Sequence, residues 1–447
     1  MMTRFALLIS FYRLCVIALI GTALLSIGTR VAAETITVCP DGSCDYTDIQ
    51  SAVFLAVNGD IIDIGPGTYS LPASVATTTP IVKPLGKALR FRGTLGTTGE
   101  LLTILDGKNV RRAVECTTQE TAATVFENLM IRSCPNSAVY ISGSSSPTLT
   151  NCTITGNAGR GAGIAFANWS TGTSKVINCR ITGNNSGGLS GGGVFVEGGT
   201  REFVNCQISQ NRNANSGAGV MVSGSSSVRF IDCDITNNVI SPAGPATNID
   251  GGGAGLFLGG TSAFLDSCLI SGNSASVSSS EGGGIDIYFC DTEMRNCEVS
   301  QNSAVDGGGL YVWGSPPSTV VVLAACQIKG NSASGFGGGI YTTSASQLLQ
   351  ATASTLCGNS APIGAQIYGN GWPAGGDNCV NNSCSVCEPP CAGDLNGNGQ
   401  VDGEDLGALL VAWGTTGTGQ PGSDVNGDGS VDGADLGALL VAWGVCP

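Results

Sequence analysis

Two stretches near the C-terminus space oxygen-bearing side chains as a hard divalent cation requires. Asp394, Asn396, Asn398, Asp402 and Asp405 stand at positions 1, 3, 5, 9 and 12 of one loop, and Asp424, Asn426, Asp428, Asp432 and Asp435 repeat that spacing thirty residues on. Calcium takes about six to eight oxygens, and such a loop wraps it when a glycine at position 6 allows the sharp turn. Gly399 and Gly429 supply that glycine. The duplication predicts two calcium ions.

A second group lies further back. Asp286, Tyr311 and Tyr341 each follow a glycine run and its aliphatic residue, Tyr288 and Trp313 come two residues after the first two, and Glu281 and Asp306 directly precede the glycines. Exposed rings beside carboxylates can stack sugars and bond their hydroxyls, and Glu281 with Asp306 could share a cation. The same outward stripe, continued backwards by Phe257, Met221 and Phe195, reads first as good strand formers. Histidine is absent, which excludes a histidine base or metal ligand. Asp286, Glu281 and Asp306 are then the candidate catalytic groups, with Arg295 the nearest basic residue.

Net charge is −14, from 33 acidic and 19 basic residues, so nucleic acid is an unsuitable partner and divalent cations are natural ones. Arg4 and Arg13, the apolar run Leu14 to Ile27, and Val31-Ala32-Ala33 form a secretory signal. The mature chain should begin at Glu34 with no transmembrane segment, secreted and possibly surface-attached. That compartment permits disulfides among the remaining cysteines.

The elements that position these groups follow from a repeat. Asn151-Cys152-Thr153-Ile154-Thr155-Gly156-Asn157 recurs at Asn178 to Asn184 and at Asn205 to Asn211, and Cys152, Cys179, Cys206 and Cys233 are 27 residues apart. Looser copies follow at Cys268, Cys297 and Cys326. Between them run Gly191 to Val194, Gly282 to Ile285, Gly307 to Leu310 and Gly337 to Ile340. A unit this short cannot bury an apolar face alone, so units must stack with parallel strands ~4.8 Å apart. Period two puts Cys and Ile on the inner wall, giving a cysteine column read as buried free thiols in preference to disulfides, because in-register side chains point the same way. The closing amides, Asn157 to Asn331 with Asn359 after them, form a second column. Asp45 to Val57 reads as an amphipathic helix capping the first coil, and Gly59 to Tyr69 as the first strand and turn.

Tyr46-Thr47-Asp48-Ile49-Gln50-Ser51-Ala52 and Pro66-Gly67-Thr68-Tyr69 resemble the opening of pectin lyase-like right-handed β-helix proteins, and the Gly-Gly-Gly-Ile and Asn-Cys-x-Ile units are similar to polymorphic outer-membrane protein repeats. The two acidic loops, each leading into Leu-Gly-Ala-Leu-Leu-Val-Ala-Trp-Gly, resemble type I dockerins. That resemblance implies calcium-dependent folding and docking to a cohesin-like receptor. Gly403-Glu404 and Gly433-Ala434 depart from the Ser-Thr-like recognition pair of that family, which leaves the identity of the receptor open.

The expected architecture is all-β: a right-handed parallel β-helix solenoid with an N-terminal capping helix, plus a small α-helical dockerin-like domain. Boundaries are expected at 1–33 for the signal, 34–378 for the solenoid, 379–392 for a Cys/Pro linker and 393–447 for the calcium-binding domain. Leu406, Leu409, Leu410 and Trp413, with Leu436, Leu439, Leu440 and Trp443, should form that domain's core, with a partner-binding face as the lesser reading, and Cys391 and Cys446 could clasp its ends. Two functions fit. The favoured one is a non-catalytic surface protein that binds a glycan or protein and docks through its calcium module. The alternative is a polysaccharide lyase or glycoside hydrolase delivered by the same module.

Overall fold

The computed structural model describes residues 33–188, 191–213, 215–241, 252–259, 262–276, 280–314, 319–343, 348–369, 378–384, 393–396, 400–415, 423–426 and 428–445. The segment expected to be a secretory signal, Asn398, Cys387, Cys391 and Cys446 lie outside those residues. The chain divides into an N-terminal unit, 1–213 with 219–233, and a C-terminal unit, 214–218 with 234–447.

In the N-terminal unit short strands stack in register and in parallel, coil upon coil. Met130–Arg132, Thr153–Thr155, Arg180–Thr182 and Gln207–Ser209 pair in sequence, so Ile131, Ile154, Ile181 and Ile208 stand one above the other, all fully buried. A second wall stacks Val139–Ser142, Ile164–Ala167 and Val194–Val204. Burying each such aliphatic side chain contributes about 1.5–3 kcal/mol, and the stacked rings of Phe91 on Phe126 and Phe203 on Phe230, 4.6 and 4.9 Å apart, fill wider parts of the interior.

The opening differs in detail from the sequence expectation. The helix is shorter, α1 (Ile49–Leu55), and Thr35–Val38 ahead of it is the first strand, pairing with Ile61–Ile64. Helix α1 starts where Asp48 accepts from Ser51 N at 2.8 Å. Lys87 closes its other end by donating to the carbonyls of Val53, Phe54 and Ala56 at 2.6, 3.1 and 2.8 Å. These are the orphan acceptors of a helix C-terminus.

Cys152, Cys179, Cys206 and Cys233 are buried thiols, as are Cys268, Cys297 and Cys326 in the C-terminal unit. Each thiol lies between 3.1 and 3.4 Å from the carbonyl oxygen two residues back. That carbonyl turns inward because the intervening residue adopts the left-handed region, with φ of 50°, 52° and 49° at Asn151, Asn178 and Asn205. Asparagine tolerates that conformation better than other side chains, which explains why it precedes the cysteine so often. Disulfides lie outside the column: Cys39–Cys44 and Cys357–Cys384 are two of them, and Cys379 is disulfide-bonded as well.

The C-terminal unit continues the same grammar. Leu256–Gly259, Ile285–Tyr288, Leu310–Trp313 and Ile340–Thr342 pair in register. The glycines between them have no room for a side chain: a Cβ on Gly308 would stand 2.5 Å from Ser332 O and 2.6 Å from Gly338 O. Asn238, Asn273, Asn302, Asn331 and Asn359 form the amide column, each Nδ2 donating at 2.9–3.0 Å to the next Oδ1. Gln366 ends the column, accepting from Asn359 Nδ2 at 2.7 Å.

At the C-terminal end of the chain, helices α2 (Gly403–Val411) and α3 (Gly433–Val441) are followed by a closing strand pair, Gln400–Val401 against Gly444–Val445.

Candidate functional site

The outward stripe of the C-terminal unit has the expected register. Phe257, Asp286 and Tyr311 are successive partners, Tyr311 pairs with Tyr341, and Tyr288 pairs with Trp313. Its exposure is not uniform. Tyr288 and Trp313 are 45% and 41% exposed, whereas Asp286 and Tyr311 are only 2% and 3% exposed. The expectation of an open row of carboxylates and rings is therefore corrected at Asp286 and Tyr311.

The cause is the turn ahead of each glycine run. Gly252, Glu281 and Asp306 bridge one another as a stacked column and lean over the strand that follows. Tyr311 donates to the Glu281 carboxylate, and Gly252 lies so close to Asp286 that a Cβ there would be 1.8 Å from its Oδ2. Burial, and then the neighbouring Glu281 charge, push the Asp286 carboxyl well above the ordinary range, and its Oδ1 has no hydrogen-bond partner. Burial and Glu281 likewise raise the Tyr311 phenol.

Asp306 serves the backbone, accepting from Phe336 N at 2.8 Å. Among the described residues no three acidic or cysteine side chains converge to hold an ion. Arg295 is not directed at this group. It pairs with Glu293 and lies 5.7 Å from the Phe264 ring centroid.

A second row of rings adjoins the buried pair. Tyr311 stacks on Tyr341 at 4.6 Å, Tyr341 on Tyr368 at 5.1 Å, and Phe336 covers Tyr368 at 4.6 Å. The sequence reading missed Phe336 and Tyr368, although both keep the repeat's spacing from Ile340 and Ile367. In the N-terminal unit the equivalent stripe is covered as well. Phe195 is fully buried, with the Arg160 guanidinium 4.1 Å from its centroid, so there the strand-former reading holds.

In the calcium-loop segments, the residues at positions 9 and 12 also start the helices. Asp402 accepts from Glu404 N and Asp405 from Asp402 N, at 2.8 and 2.9 Å. Asp432 and Asp435 repeat this, each at 2.8 Å from Ala434 N and Asp432 N. In the second loop Asp424 accepts from Asp428 N and Gly429 N at 3.1 and 2.8 Å, and Asn426 Oδ1 from Asp428 N at 2.9 Å. All of these acceptors are oxygens, gathered on two short loops, with further lone pairs to offer, a set that suits calcium and no softer metal.

The helix stripes depart from expectation in a telling way. Leu409 and Leu439 are buried with Val401, Ala412 and Val431, and Leu406 and Leu436 pack against them. Leu410, Val411 and Trp413 are instead 54%, 81% and 44% exposed, and Leu440, Val441 and Trp443 are 53%, 90% and 48% exposed. Half of each predicted core stripe faces outward. Helices of nine residues have too few turns to bury a wider face against each other.

A family model described as right handed beta helix region matches residues 102–191 and 169–356, and one described as dockerin type I domain matches residues 392–440. Among solved structures, pectate lyase Pel9A is 15% identical with a TM-score of 0.44, covering 73% of this chain and 80% of its own. The pectin methylesterase from Aspergillus niger is 16% identical with a TM-score of 0.31, covering 64% and 83%. The receptor binding domain of the Siphovirus 9NA tailspike is 12% identical with a TM-score of 0.24, covering 78% of each chain. No curated protein matches the chain.

Proposed function

Since the chain belongs to the right-handed β-helix family and ends in a type I dockerin domain, we propose that it is an extracellular, non-catalytic binding protein. In this reading the dockerin, holding two calcium ions through the ten residues named above, attaches the chain to a cohesin-like receptor. The solenoid then presents its outer stripe to a polysaccharide. The observation that carries the docking half is the duplicated apolar surface, Leu410-Val411 with Trp413 and Leu440-Val441 with Trp443. Four large apolar side chains exposed at the ends of two nine-residue helices, with an exposed Trp two residues beyond each, are more than a small module leaves in water without a partner.

Surface plasmon resonance with immobilised type I cohesin as probe tests this. Binding is expected in calcium and is expected to vanish in a chelator. Val411→Asp combined with Val441→Asp should weaken binding at least about tenfold, because it places charge in the contact while leaving the buried Leu409 and Leu439 untouched. Binding that ignores both the chelator and the double variant would contradict the docking surface assigned here.

One observation favours the enzymatic alternative. Burial shifts the Asp286 carboxyl upward, the direction a general acid needs. A hydrolase acid must also reach a leaving group, and Asp286 is 2% exposed.

A further inference from the structure

Tyr288 and Trp313 occupy equivalent positions in adjacent coils and remain open while Asp286 and Tyr311 beside them are covered. Their rings are 6.3 Å apart and tilted by 24°, and Phe257 continues the series at 6.4 Å with the same tilt. Phe289, 37% exposed, stands edge-on to Tyr288 at 4.8 Å. The three stacked rings thus form a ramp across three coils, with a fourth ring bracing it. An aromatic face suits the apolar C–H face of a pyranose ring, and successive parallel faces suit a chain of them.

The charge around the ramp narrows the class of sugar. From residue 252 to 369 the chain has six carboxylates, Asp266, Glu281, Asp291, Glu293, Glu298 and Asp306, besides the buried carboxyl of Asp286, against two bases, Arg295 and Lys329. Both bases are engaged, Arg295 with Glu293 and Lys329 with Glu298 at 3.0 Å. A polyuronate laid along the ramp would bring one carboxylate per sugar toward Glu281 and Asp306 with no cation to receive it. Like charges at such sites cost more than the stacking returns.

We propose that Tyr288 and Trp313, flanked by Phe257 and Phe289, form a stacking platform for a neutral pyranose chain, and that the surrounding carboxylates exclude uronate polymers. The inference rests on the reading of the solenoid as a polysaccharide-binding surface and names the substrate class.

Isothermal titration of the full chain in calcium tests it, with β-1,4-linked hexasaccharides of glucose, xylose, mannose and galactose as neutral probes and a galacturonate hexasaccharide as the charged one. At least one neutral probe is expected to bind, Trp313→Ala to weaken it about tenfold or more, Tyr288→Ala to do the same, and the galacturonate probe to give no heat. Glu281→Gln should leave the neutral affinity within about twofold while admitting measurable galacturonate binding. Galacturonate binding by the wild-type chain that Trp313→Ala removes would overturn the neutral class yet leave polysaccharide binding standing. Neutral binding that ignores both aromatic variants would overturn the platform, and silence from every probe would overturn the inference together with the reading beneath it.

Discussion

Replacing Asp394 and Asp424 together with alanine is expected to abolish calcium binding, and with it the folded C-terminal domain. Each stands at the first position of its acidic loop, and loss of a carboxylate from a short oxygen cage should weaken calcium by about 100-fold or more. The effect reaches the fold because the described residues of this domain offer little else to hold it. Its helices have nine residues each, below the length at which a helix persists alone, and its core is five buried side chains with five partly buried ones around them. Metal binding energy is folding energy in such a module. Equilibrium dialysis should find two calcium ions per wild-type chain, one for either single variant and none for the double. The helical circular dichroism signal of the isolated 393–447 segment should need calcium. Two ions retained by the double variant would refute the ligand assignment.

Asn302→Leu should cost about 3–5 kcal/mol of stability in the C-terminal unit, a loss large enough to read as a shift in the urea midpoint. The side chain is 1% exposed and sits in the middle of the amide column. Its Oδ1 accepts from both Asn273 N and Asn273 Nδ2 at 2.9 Å, and its Nδ2 donates to Ile270 O and Asn331 Oδ1 at 2.9 and 3.0 Å. Leucine matches the volume but leaves two donors on Asn273 and an acceptor on Ile270 buried without partners, each at roughly 1–3 kcal/mol. An exposed control, Gln327→Ser, should stay within about 0.5 kcal/mol of wild type. A similarly small shift for Asn302→Leu would show that the column is not a structural spine.

The repeat was legible because period two and a fixed coil length act on every copy: Cys, Ile and Asn recur where a buried column needs a small apolar group, a branched aliphatic and a self-pairing amide. What could not be read was set by neighbours outside the strand. Asp286 and Tyr311 hold the outward phase that the alternation gives them, yet they are covered by the turn of Gly252, Glu281 and Asp306, whose lean no local pattern encodes. The two-residue strands Ser274–Ala275, Ser303–Ala304 and Ser332–Ala333 are too short to show any period. Arg201 is a sharper case. It occupies an inward position between Ser174 and Val228 and is fully buried, with its charge met by Ser170 Oγ, Thr200 O, Gly172 O and the Phe166 ring. Alternation alone would have assigned that position to an aliphatic residue. In the C-terminal module the heptad-like stripe was right about direction and wrong about width, because Leu410 and Leu440 lie one step past the face the partner helix can cover.

The most direct trial of the account is a product assay on the full chain in calcium, using polygalacturonate and neutral β-1,4-glucan, with unsaturated ends followed by absorbance and new reducing ends by chemistry. The account predicts retention of neutral glycan with neither kind of product above background. Steady release of products that disappears in Asp286→Asn would make the buried carboxyl a catalytic acid and replace a binding protein with an enzyme.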